Sequence, residues 1–275
     1  MSSQPVVIIE SGARSNGYWR DIWSHREMLL FLAWRDILVR YKQTLIGASW
    51  VIIRPLLTML VFSVVFGRIA NLPSNGVPYP LLVLTGMLPW FFFSSALTEC
   101  SNSLVGNANL LSKIYFPRLI VPCSTLLVCL VDYLISCLLL LVMLVWYNHW
   151  PDWRILLLPL FSLFTAVIAF GLGLWAAALN VRYRDFRHLI PFCLQLGIYI
   201  SPVGYATNLI PEKWRFLYSL NPLVGVIDGF RWCLLGQDSQ LYWPGFAISV
   251  VGSILILAGG IWYFRKSEAN FADVI

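Results

Sequence analysis

Charge is scarce in this chain. Only 12% of its 275 residues are Asp, Glu, Lys or Arg, against 59% that are hydrophobic. A water-soluble domain carries about a quarter charged residues, so a soluble fold of this length is excluded. No run of the form GxxxxGK[ST] occurs, which removes any P-loop that could cradle nucleotide phosphates. The six cysteines, Cys100, Cys123, Cys129, Cys137, Cys193 and Cys233, contain no CxxC pair. They read as small buried apolar residues rather than as disulfide partners or metal ligands. Residues 1–17 lack a continuous apolar stretch, so no signal peptide is expected.

What is abundant is long apolar sequence. Spans are expected at 46–67, 80–105, 119–147, 155–179, 189–208 and 243–264. Each is long enough for the roughly 30 Å of a hydrocarbon core at about 1.5 Å per residue. Of the nineteen Lys and Arg, thirteen fall in segments on one side of these spans and five on the other, with Arg54 inside the first span. That bias places both termini in the cytoplasm. Thirteen Trp and twelve Tyr suit the headgroup level of a bilayer. Asp152, Asp185, Asp228 and Asp238 are spread over both sides, and His149 and His188 lie on opposite sides. A membrane enzyme needs acid/base groups converging at one interface. No catalytic, cofactor-binding or metal site is therefore expected.

The expected fold is an all-α polytopic membrane protein with six transmembrane helices. Residues 1–45 form a cytoplasmic N-terminal segment, 46–264 the membrane domain and 265–275 a short cytoplasmic tail. Within the first segment, Ser24-His25-Arg26-Glu27 has the form of a capping box that opens a helix. Leu30, Trp34, Ile37, Leu38 and Tyr41 recur on one face. Arg35, Arg40 and Lys42 add positive charge, and Asp36 is placed to support Arg40 at i+4. Such a basic amphipathic helix is expected to lie in the membrane interface, as a plain anchor or also in contact with a protein.

Between spans two and three, residues 106–118 present Leu110, Leu111, Ile114, Tyr115 and Phe116 beside Lys113 and Arg118. Pro117 turns the chain by disfavouring helical geometry at Phe116. This is a docking knob or a headgroup anchor. The loop 180–188 holds Arg182, Arg184 and Arg187, which set topology before anything else. Beyond span five, Pro211–Tyr218 reads as a short helix. Asn221 and Pro222 are the N-cap and N1 residues of another that runs through Phe230 toward Gly236. These pieces are too short to cross and too apolar for a free loop, so a re-entrant helical hairpin is expected between helices five and six. Irregular backbone at that depth must be surrounded by protein or a water cavity. Trp214, Tyr218, Asn221, Pro222 and Phe230 are the candidate outer gate.

Three ionisable residues fall inside spans. Arg54 and Glu99 lie at matching depth, which predicts a polar pair or a shared polar cluster between them. Helix glue is the ordinary role for such a pair and a proton relay the other. Asp132 is near mid-depth with no evident partner. Trp90, Phe91, Phe92 and Phe93 must point in several directions around a helix, so some can line a channel while others pack. Aromatic faces of this kind suit sugar rings.

The runs Arg35–Trp50, Leu110–Arg118 and Asn180–Asp185 and the pair Asn221-Pro222 resemble the permease subunits of type-2 ABC transporters that export polysaccharide: O-antigen, capsular polysaccharide or teichoic acid. The resemblance covers about residues 20–265. It implies a homodimer around a central channel in the bacterial inner membrane, with membrane lipids around it. It also implies two copies of a cytoplasmic ABC ATPase and a lipid-linked polysaccharide substrate, O-antigen first. Nucleic acid is not among the expected partners. ATP and Mg would sit on the ATPase, and this chain would hold no cofactor. Asn107, Leu110, Lys113, Tyr115, Phe116 and Arg118 map onto the family's coupling helix, and Arg35 and Arg40 onto its interface helix. The outer helices map onto the gate, and Trp90–Phe93 onto glycan-contacting channel aromatics. Export of drugs or small lipids shares this architecture. A lipid- or glycan-modifying membrane enzyme and a passive channel fit less well.

Overall fold

The computed structural model describes residues 17–42, 49–74, 76–236, 241–268 and 271. The expected beginning of span one, residues 43–48 of the Arg35–Trp50 run, Asp238, residues 1–16 and most of the 265–275 tail lie outside the described residues. Those described form helices α1 (Tyr18–Ser24), α2 (Arg26–Lys42), α3 (Ser49–Phe62), α4 (Tyr79–Gly106), α5 (Ala108–Leu111), α6 (Ile120–Trp146), α7 (Leu158–Arg182), α8 (Phe186–Ile200), α9 (Glu212–Tyr218), α10 (Pro222–Leu235) and α11 (Trp243–Glu268). A π-helical turn, Ser63–Ile69, continues α3, and a 3₁₀ turn, Trp153–Leu157, leads into α7. Strands are absent among the described residues.

Five segments are long and apolar enough to cross a membrane: 49–69, 79–106, 120–146, 153–182 and 243–268. The fifth expected span, 189–208, is instead the shorter apolar helix α8 followed by irregular chain. Pro202 explains the early end. It has no N–H to donate and pushes the preceding residue toward extended backbone, and Ser201 has ψ 151°. The capping box at Ser24 does not form. Ser24 closes α1, its hydroxyl donating to the Asp21 carbonyl at 2.7 Å, and the chain turns at His25 into α2. Asp36 pairs with Arg35 at 2.8 Å and leaves Arg40 to other partners.

The bundle is built around α4, which is buried along most of its length and packs on α6, α7 and α10. Where α7 and α11 meet, glycine lets the backbones touch. A Cβ on Gly171 would stand 2.8 Å from the Leu257 Cα, and one on Gly260 would strike the Gly171 carbonyl. Small residues at such crossings are how helices associate without a hydrophobic drive between them. Asn180 adds a polar clasp, its Nδ2 donating to the Ser101 carbonyl at 3.0 Å and to Asn102 Oδ1 at 3.1 Å.

Both ends of the described chain sit at one end of the bundle. The Tyr18 hydroxyl donates to Glu268 Oε2 at 3.0 Å, and the Arg118 backbone N–H donates to Glu268 Oε1 at 2.9 Å. A separate apolar cluster of Leu32, Leu104, Phe116, Leu119, Ile120 and Phe264 fills this end. Burial and the neighbouring Glu268 carboxylate push the Tyr18 phenol upward, so it stays a donor.

Candidate functional site

Three regions bear on function: a cavity along α4, the loop at the end that carries the termini, and the α9–α10 pair at the opposite end. The cavity has a volume of ≈ 610 Å³ and is walled by α2, α3, α4, α6 and α8. Its lining is half polar. Thr58, Ser94, Ser95, Thr98 and Gln195 alternate with Trp90, Phe91 and Tyr199. A smaller space of ≈ 190 Å³ between α3, α4 and α6 adjoins it and shares Arg54, Phe91, Ser95 and Asp132.

Arg54 and Glu99 both line the larger cavity together with Arg40 and Asp132, so of the two expected arrangements the shared polar cluster is present and the direct pair is not. Glu99 Oε1 accepts from Arg40 Nη2 at 2.8 Å. Arg40 Nη1 also bonds Asp132, and the Tyr41 hydroxyl donates to the other Asp132 oxygen. Burial and that contact push the Tyr41 phenol upward, which keeps it protonated. The Arg54 guanidinium lies over the Phe91 ring at 5.0 Å and forms no ion pair among the described residues. The pairing differs from expectation because α2 folds back onto α6 and delivers Arg40 to both acids. Spacing within one helix carries no trace of that fold-back.

The four expected channel aromatics divide. Phe91 faces both spaces, and Trp90 lines the larger one while packing on Phe93 at 5.6 Å. Phe92 stacks on Tyr133 at 4.8 Å and borders the smaller space. Phe93 is buried in the core and lines neither space.

In the loop, α5 is a single turn. Ile114 and Tyr115 are exposed, Tyr115 by 80%, and Lys113 points outward with them. Phe116 is only 4% exposed, so the expected apolar tip loses it to the apolar cluster beneath. Leu110 is half-buried against the same cluster. Asn107 accepts from Arg35 Nη2 at 3.1 Å, which ties the loop to α2. Arg118 is held at the base of the loop, its guanidinium bonded to the Glu268 carbonyl and 5.8 Å above the Phe271 ring. Glu268 escaped notice in the sequence because it stands in a short polar tail.

At the opposite end, Asn221 and Pro222 open α10 as expected. The Asn221 side chain accepts from the Leu223 N–H at 3.1 Å and donates to Ser201 Oγ at 3.1 Å. Trp214 is exposed, and the Tyr218 hydroxyl meets that of Tyr205 at 2.9 Å. Phe230 is 1% exposed and packs on Tyr133 and Phe161, so it is core rather than gate. The unexpected residue is Arg231, assigned by sequence to an outer segment but 3% exposed. Its guanidinium donates to the carbonyls of Tyr205 at 2.8 Å, Val203 at 3.0 Å and Leu82 at 3.4 Å. It satisfies carbonyls of the irregular chain after α8 that burial would otherwise leave unpaired. Asp228, one turn earlier, accepts from Thr207 Oγ1 at 2.6 Å. Two charges in one short apolar helix were the available signal.

The family model of the ABC-2 type transporter matches residues 27–235. The chain is 28% identical over 260 residues to an O-antigen export system permease protein RfbA from Myxococcus xanthus, covering 93% of this chain and 98% of that one. A protein of the same name from Klebsiella pneumoniae is 27% identical over 253 residues, 90% and 95% of the two chains. The polysialic acid transport protein KpsM of Escherichia coli is 26% identical over 204 residues, 72% and 77%. With five crossing segments, a sixth apolar helix and a match over most of its length, the chain is a multi-pass membrane protein that belongs to the ABC-2 type transporter family.

Proposed function

We propose that this chain is the membrane subunit of an exporter that moves lipid-linked polysaccharide, O-antigen first, across the bacterial inner membrane. The observation that carries the reading is near full-length similarity to a permease named for O-antigen export. The chain has no P-loop, so ATP and Mg belong to a separate cytoplasmic ABC ATPase, and two copies of each subunit form the working unit. Both termini face the cytoplasm, in keeping with the bias of Lys and Arg toward that side.

In this reading the exposed Lys113–Tyr115 segment meets the ATPase. Closure of the ATPase dimer moves the loop and, through the Arg35–Asn107 bond, α2. The polar cavity along α4 is one wall of the channel, with Phe91 and Trp90 offering faces to sugar rings. The α9–α10 unit stands at the exit, its backbone held by Arg231. The spans then shift, the outer helices part, and the glycan moves outward.

The test is deletion of the gene with complementation. Surface glycan should fall, lipid-linked glycan should accumulate inside, and, in a strain that also lacks the ATPase gene, export should return only when this chain and its ATPase are supplied together. Unchanged surface glycan in a strain lacking a second exporter would contradict the polysaccharide reading and favour export of drugs or small lipids.

A further inference from the structure

We propose that Arg40 is a positioning residue that closes the cytoplasmic end of the cavity, and that α2 is the strap by which the loop opens it. The inference goes beyond the transport reading and rests on it only for its purpose. Three observations meet here. The cavity extends from Arg40, Glu99 and Asp132 at one end to Phe62 and Tyr199 at the other, where those rings stack at 6.2 Å. At the first end, one guanidinium from α2 spans a carboxylate on α4 and another on α6, and Tyr41 adds a second bond to the α6 acid. Five residues earlier on the same rigid helix, Arg35 grips Asn107 at the start of the loop. The distance along α2 between the two grips is about 7.5 Å at the helical rise. Displacement of the loop therefore cannot leave Arg40 in place unless the Arg35–Asn107 bond breaks first.

Chemistry makes the closure reversible. With Arg40 seated, two acids and two bases balance at this end of the cavity: Glu99 and Asp132 against Arg40 and Arg54. With Arg40 withdrawn, two carboxylates face each other beside a single arginine that already lies over Phe91. Glu99 is already 46% exposed and Arg40 32%, so loss of the guanidinium leaves two partly solvated like charges that repel, and this end widens for polar solute. The planar fork presents separate N–H donors to the two carboxylates in fixed directions. Lysine keeps the charge without the span.

The experiment places a cysteine at Thr98, inside the cavity, in the full chain assembled with its ATPase. Labelling by a membrane-impermeant thiol reagent is followed in inside-out membrane vesicles, with the parent chain as blank. Arg40→Ala should raise the labelling rate of Thr98→Cys at least about fivefold, the low end of ordinary conformational coupling, and Arg40→Lys should fall between. The double exchange Arg40→Glu with Glu99→Arg should return the rate toward the parent value. A cysteine at the exposed Asp185, in the loop that follows α7, should label equally in every background. If Arg40→Ala does not insert, the near-isosteric Glu99→Gln and Asp132→Asn replace it with the same expectation. Unchanged Thr98→Cys labelling in inserted protein, or lost stability without a change in labelling, overturns the proposal. Labelling needs no glycan, so a failed export assay would leave this result standing and sink only the substrate assignment.

Discussion

Phe116 and Tyr115 are neighbours in sequence with opposite roles, and they separate packing from docking at the level of single residues. Phe116 is buried among Leu104, Leu119 and Phe264. Phe116→Ala is expected to cost about 3–5 kcal/mol, as large-to-small changes in cores do, and to lower the melting temperature of the purified protein. Tyr115→Ala and Lys113→Glu touch exposed side chains and should leave that temperature unchanged while weakening co-purification of the ATPase. Arg231 makes a different prediction. Arg231→Met keeps the volume but orphans the carbonyls that the guanidinium serves. A loss of about 3 kcal/mol or more is expected, the range for breaking a buried charged contact, together with faster proteolysis between residues 201 and 210. Arg231→Lys should recover part of it, since one ammonium cannot serve carbonyls spread over the fork of the guanidinium.

Among the elements, the α7–α11 crossing depends on having no side chain at two positions. Gly260→Val would force the helices apart at the Gly171 carbonyl. It should destabilise by about 1–3 kcal/mol, the usual cost of overpacking, read as a lower melting temperature. Gly106→Ala, which meets open space, should be neutral. The elements also mark where sequence reasoning succeeds. Long apolar runs gave helices close to their expected bounds, with Pro80 and Pro122 in first turns and Pro89 inside: 80–105 became Tyr79–Gly106, and 119–147 became Ile120–Trp146. The N-cap at Asn221 was readable because capping is local chemistry. The shortening of α8 was also written locally, in Pro202. The partner of Glu99 was not, because it depends on the path of α2 across α6, which is tertiary. The depth of Arg231 was hidden for the same reason: a charge beside Trp232 reads as an interfacial residue until α4, α7 and α11 close around it.

Across the whole molecule, the parts form a mechanical linkage. A chain with no nucleotide-binding loop carries a half-polar cavity along its central helix. A strap runs from an exposed loop to the acids at one cavity end, and a helical pair at the other end is held to the core by a buried arginine. The central claim is that this assembly moves a lipid-linked glycan when another protein hydrolyses ATP. The most direct measurement places the purified permease and its ATPase in proteoliposomes with lipid-linked O-antigen, and follows access of a glycan-digesting enzyme confined to one side. ATP-dependent transfer is expected, requiring both proteins and lost with an ATPase that cannot hydrolyse. Transfer without ATP, or ATP hydrolysis with no transfer of glycan by an intact complex, would contradict it.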